Sequence, residues 1–139
     1  MASMTFKDGT SHKCGGTLVA SEWIVTASHC LFEDRKLTVE TKPEDISIVL
    51  GEHDYSMTGE ESLPRKVVKV SKYVKHPDYN TATSEADIAL LKLAEKVDIN
   101  TYTPACMAKT GEDYTGKTAW VYGKSVTSLM CIYATLCCF

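Results

Sequence analysis

Residues 14–30 read CGGTLVASEWIVTASHC, and how this stretch is read decides the fold. Two short apolar runs, TLV at 17–19 and WIVTA at 23–27, are divided by the polar pair Ser21 and Glu22. Runs this short, rich in β-branched residues and broken by a polar turn, predict strands; a helix needs a longer run with 3.6-residue periodicity. The second run leads to His29, with Cys30 beside it, and Cys14 opens the stretch. A bridge between the two cysteines would close a loop worth about 3 kcal/mol in the chain-entropy account. It would also pin the histidine's turn to the neighbouring strand, and a general base needs that kind of fixed geometry. A lone histidine after an apolar run is more often structural, so a chemical role requires partners elsewhere in the chain.

The same pattern continues outward. ISIVL at 46–50, VVKVSKYV at 67–74 and IALLKL at 88–93 are β-branched or apolar and short. Between them lie turn-forming clusters such as KPED at 42–45 and HPDYN at 76–80. About six strands at this spacing predict a small antiparallel barrel or sandwich. Residues 100–116 read as a connector, and TAWVY at 118–122 starts a further strand. From 128 to 139 the sequence SLMCIYATLCCF carries no charge and no turn residue. Such a segment is aggregation-prone when exposed, and it is shorter than the ~20 residues of a membrane-spanning helix.

Composition excludes several classes. The 139 residues carry a net charge of -3 and 44% hydrophobic residues, enough for an ordinary core. An acidic balance without a basic stripe excludes a nucleic-acid surface, and no apolar run is long enough to span a membrane. The six cysteines, Cys14, Cys30, Cys106, Cys131, Cys137 and Cys138, suggest disulfide chemistry and an oxidising compartment. The first ten residues, MASMTFKDGT, lack the apolar core of a signal peptide. The spacing of Cys131, Cys137 and Cys138 matches no zinc pattern.

A candidate partner for His29 is Asp87, which opens the apolar run DIALLKL at 87–93; the alternative is an ordinary turn aspartate at a strand start. A carboxylate near burial is costly unless paired, and an imidazole satisfies it. With these residues in place, the chain resembles the trypsin- and chymotrypsin-type serine peptidases. The matching stretches are CGGTLVASEWIVTASHC, LGEHD at 50–54, HPDYN, DIALLKL, PAC at 104–106 and AWVYG at 119–123, in the family's order. The resemblance implies an all-β fold, an antiparallel six-stranded β-barrel that is the first of the family's two barrels. It implies His29 as general base, Asp87 as its orienting carboxylate, and a Cys14–Cys30 disulfide; the roles are those of the family's own type case. It implies peptide or protein substrates and an extracellular setting. The acidic loop GEHDYSMTGEESL at 51–63 is similar to the calcium loop of trypsins, with Glu52, Asp54 and Glu61 as candidate ligands for a structural calcium. The bland alternative is a solvated acidic turn. Cys106 resembles the cysteine through which some members tether a light chain or propeptide.

The departures from the family set further expectations. Ser28 stands where the usual TAAHC has alanine, and two small residues predict little consequence. The IVGG-type activation sequence is missing, and with it, on this reading, the first strand. After AWVYG the family continues WG, whereas this chain has Lys124, Ser125 and Val126. No GDSGG string, the family's nucleophile motif, occurs. The organisation expected is therefore a first barrel at 1–116, the first strand of a missing second barrel at 117–124, and a divergent, frame-shifted or alternatively spliced cysteine-rich tail at 125–139. The expected function is that of a truncated endopeptidase, inactive alone for want of its serine. The alternative is a non-catalytic homologue acting as a binding or regulatory module.

Overall fold

The computed structural model describes residues 2–6, 12–34, 36–51, 63–115, 118–124 and 129–135, with backbone alone from 119 onward. Eight strands are present among them: β1 Ala2–Phe6, β2 His12–Ala20, β3 Trp23–Thr26, β4 Ile46–Leu50, β5 Lys66–Lys75, β6 Ala89–Leu93, β7 Thr118–Lys124 and β8 Leu129–Thr135. The first six form a closed barrel in the order β1-β2-β3-β6-β5-β4, every pairing antiparallel. Closure removes exposed sheet edges and encloses one core.

The alternation that predicts each strand also builds the core. In β6, Ala89, Leu91 and Leu93 point inward and are buried while Leu90 is exposed. In β5 the inward pair is Val68 and Val70. Ile24, Leu18, Ile46, Ile48 and Met4 complete the filling from the other strands. After β6 the chain is tied back to the barrel, with Val97 N–H donating to Ser21 O and Ala105 N–H to Leu18 O, both at 2.8 Å. Val97 and Tyr102 are thereby added to the core.

β1 corrects an expectation. The first strand of the barrel is present, as Ala2–Phe6, lying between β2 and β4 with Met4 opposite both Cys14 and Ile48. Its sequence, ASMTF, alternates Ala2, Met4 and Phe6 with Ser3 and Thr5, and the polar pair is buried as well. Their hydroxyls are hydrogen-bonded, Ser3 Oγ to His12 Nδ1 at 2.8 Å and Thr5 Oγ1 to Ser47 O at 3.3 Å, so burial carries no unsatisfied-group penalty.

The chain divides into two compact units, Met1–Ala105 and Cys106–Phe139. The first contains the barrel. In the second, β7 and β8 pair antiparallel over their whole length, from Thr118 opposite Thr135 to Lys124 opposite Leu129. Much of the uncharged stretch at 128–139 is thus strand. No helix among the described residues is long and apolar enough to cross a membrane.

Candidate active site

Strand register brings the site together. β3 and β6 pair antiparallel, with Thr26 opposite Ala89. The chain leaving β3 and the chain entering β6 therefore meet at one end of the barrel, although 58 positions separate their residues in sequence. Beyond Thr26 the chain turns into a 3-10 helix at Ser28–Leu31, closed by Cys30 N–H donating to Ala27 O at 3.2 Å. On the other side β2 pairs with β3, Thr17 opposite Val25. Cys14, near its start, is joined to Cys30 by a disulfide with Cα atoms 6.1 Å apart. Thr26 Oγ1 donates to Gly15 O at 2.9 Å and closes the same corner.

His29 and Asp87 face each other there. His29 Nδ1 and Asp87 Oδ2 are 2.6 Å apart, and the His29 backbone N–H donates to Asp87 Oδ1 at 2.9 Å. A carboxylate only accepts, so Nδ1 carries a proton, and in the neutral imidazole that leaves the lone pair on Nε2. The His29 side chain is 52% exposed and that of Asp87 23%. The carboxylate is thus partly withdrawn from water while the imidazole opens to it. Tyr79 borders the pair. Burial first, and then the charge of Asp87, push its phenol above the ordinary value. Its buried hydroxyl has no partner among the described residues.

Backbone geometry holds Asp87 in place. Ala86, just before it, has φ 52°, in the left-handed region, and Ile88 N–H donates back to Ala86 O at 2.8 Å. A non-glycine residue in that region costs roughly 1–3 kcal/mol, and such strain tends to concentrate at functional sites. The segment is clamped further by Ser28. Its side chain is wholly buried, and its hydroxyl donates to Ile88 O at 2.7 Å. The residue read as an inconsequential replacement for alanine therefore links the histidine's turn directly to the aspartate's segment. A serine buried beside a polar turn carries no sequence signal of such a bond, because the acceptor lies 60 positions away.

Of the other candidate residues, Cys106 is a free, exposed cysteine. Glu52, Asp54 and Glu61, the candidate calcium ligands, lie outside the described residues. His76 is exposed, with Nδ1 3.9 Å from Asp78 Oδ2.

A family model described as Trypsin matches residues 1–128. The chain is 36% identical over 111 residues to a trypsin of Phaedon cochleariae, covering 79% of this chain and 39% of that protein. It is 39% identical over 100 residues to duodenase-1 of Bos taurus, covering 71% of this chain and 34% of that protein. Over 141 aligned positions it is 31% identical to trypsin-4 of Rattus norvegicus, covering 94% of this chain and 51% of that protein. The chain thus spans less than two thirds of the length of each.

Proposed function

We propose that this chain, which belongs to the trypsin family, is the base-bearing barrel of a secreted serine endopeptidase. The observation that carries this reading is the 2.6 Å contact between His29 Nδ1 and Asp87 Oδ2, on a histidine whose side chain is half exposed. In the reaction, Nε2 takes the proton of an attacking serine hydroxyl as the acyl-enzyme forms. It then returns that proton to the leaving amine. Asp87 holds the ring in the required tautomer and stabilises the imidazolium while it exists. The Asp87 carboxylate also accepts the His29 backbone N–H, so ring and carboxylate cannot rotate independently. The Cys14–Cys30 bridge supports an oxidising, extracellular setting, and exposed Cys106 is the point at which a light chain would be tethered.

The serine, the oxyanion hole and the substrate pocket belong, on this reading, to a part of the enzyme other than these 139 residues, which contain no GDSGG string. Losing one triad member from a complete enzyme leaves roughly 10³–10⁴-fold catalysis over water, because the oxyanion hole and substrate binding survive. When these are missing together, even that remainder vanishes. The 139-residue chain alone is expected to show no covalent labelling by an active-site-directed fluorophosphonate and no peptide cleavage. A fluorophosphonate adduct on any of its serines, found by intact mass, would contradict the reading.

A further inference from the structure

The corner that holds His29 also gathers a second set of donor atoms. The sulfurs of Cys14 and Cys30 and a ring nitrogen of His29 all lie within 4.8 Å of one another. Cys30 Sγ stands 3.5 Å from His29 Nε2. In a tetrahedral zinc site, bonds of about 2.3 Å to sulfur and 2.0–2.1 Å to nitrogen set neighbouring S and N ligands about 3.5 Å apart. That edge of the tetrahedron already has the required length. The 3-10 turn at Ser28–Leu31 makes this possible, bringing two consecutive side chains close together where an extended chain would send them to opposite sides. Asp87 supplies the outer partner. A carboxylate on Nδ1 fixes the tautomer whose Nε2 can ligate a metal, the carboxylate–histidine–zinc arrangement. The half-exposed imidazole gives the site access to solvent.

In the oxidised chain both sulfurs are engaged in the disulfide. We infer that reduction of the Cys14–Cys30 bridge converts this corner into a Cys₂His site for a zinc-type divalent cation, with water as fourth ligand. A dithiol reductant delivers two electrons, becomes a disulfide itself and leaves Cys14 and Cys30 as thiols. Binding M²⁺ then releases one proton from each thiol, while neutral Nε2 donates its lone pair. The sulfurs must part to about 3.8 Å, the tetrahedral edge for 2.3 Å bonds. Two thiolates and an imidazole select zinc, cobalt or cadmium over calcium or magnesium. The bound cation occupies the atom that accepts the proton in peptide hydrolysis, so bridge reduction with metal present silences the base. That consequence rests on the proposed function, whereas the metal site itself does not.

The test uses the full chain carrying Cys106→Ser, Cys131→Ser, Cys137→Ser and Cys138→Ser, so that no other thiol competes. It is reduced under argon and titrated with Co²⁺, recording absorption and far-ultraviolet circular dichroism together. The expected result is a thiolate-to-cobalt charge-transfer band and tetrahedral d–d bands saturating at one equivalent on a folded chain. Both should be absent before reduction and lost with His29→Ala. Asp87→Asn should weaken binding roughly 10–100-fold, as expected for loss of an outer-shell partner. The inference is overturned by spectra unchanged in His29→Ala, by a reduced chain that binds no cobalt, or by one that stays unfolded with cobalt present.

Discussion

Ser28 shows how much of the site's geometry depends on a single hydroxyl. Its hydrogen bond to Ile88 O joins the two segments whose separation sets the His29–Asp87 distance. The Ile88 carbonyl also accepts from His76 N–H at 3.0 Å, so removing the serine hydroxyl does not orphan it. Ser28→Ala is therefore expected to cost about 1 kcal/mol, the net value of one hydrogen bond, read as a lower urea midpoint at unchanged m-value. Ser28→Val adds bulk at a fully buried position and should cost about 1–3 kcal/mol. A Ser28→Ala chain as stable as its parent would contradict this. At this scale the residues that the structure brings together could be singled out in the sequence, their roles coming only with the family resemblance. His29, Asp87, Cys14 and Cys30 are residue types whose presence beside apolar runs demands a reason. Ser28 and Tyr79 could not, since their significance lies in which distant atom each hydroxyl meets or fails to meet.

Among the elements, strands built on β-branched or leucine-rich runs were readable and β1 was not. Its alternation of Ala2, Met4 and Phe6 with Ser3 and Thr5 is short and has no β-branched apolar residue. β4, β5 and β6 carry β-branched or leucine-rich sequence that announces a half-buried or fully buried strand. Ala2–Phe6 is buried on both sides because it closes the barrel, and its polar residues are satisfied by neighbours that no local pattern reveals. The glycines of β2 differ in a way that sequence also hides. A Cβ on Gly16 would come within 2.7 Å of Ile24 Cγ2 and 3.3 Å of Val25 O, whereas one on Gly15 would meet nothing within 4 Å. Gly16→Ala should therefore destabilise the barrel by about 1–3 kcal/mol, and Gly15→Ala should be neutral or stabilise it by up to about 1 kcal/mol. Chemical denaturation of the two variants side by side checks the contrast. The loop after the histidine's turn makes a pH prediction. Asp34 accepts from Thr38 Oγ1 at 2.7 Å, Thr38 N–H at 2.9 Å and Val39 N–H at 3.0 Å. The bond from the Thr38 hydroxyl, and then that from the Val39 amide, lower its pKa from 3.8 to about 2. A depressed carboxylate stabilises the fold above its unfolded value, and that contribution is lost as pH falls through the folded one. The thermal midpoint should drop between pH 3.8 and about 2, and Asp34→Ala should flatten that limb. An acid limb identical in Asp34→Ala would contradict the assignment.

The whole molecule consists of two compact units. The first carries a barrel whose one end gathers β2, β3 and β6 so that a disulfide, an imidazole and a carboxylate converge. This convergence follows from antiparallel register. The resemblance to the family anticipated it, but local pattern alone left barrel and sandwich equally open. The division after Ala105 falls inside the 100–116 stretch that sequence reads as a featureless connector, because Tyr102 is drawn into the barrel core and the Ala105 backbone is tied to β2. On the proposed function, this barrel supplies a working base to a serine nucleophile located elsewhere in the enzyme. The most direct measurement is fluorophosphonate labelling of a chimera in which residues 1–123 replace the matching portion of the Phaedon cochleariae trypsin, which this chain matches over 39% of its length. Stoichiometric labelling and peptide cleavage by the chimera are expected, both lost with His29→Ala. A folded chimera that does not label, or one that labels equally well with His29→Ala, would contradict the proposed function.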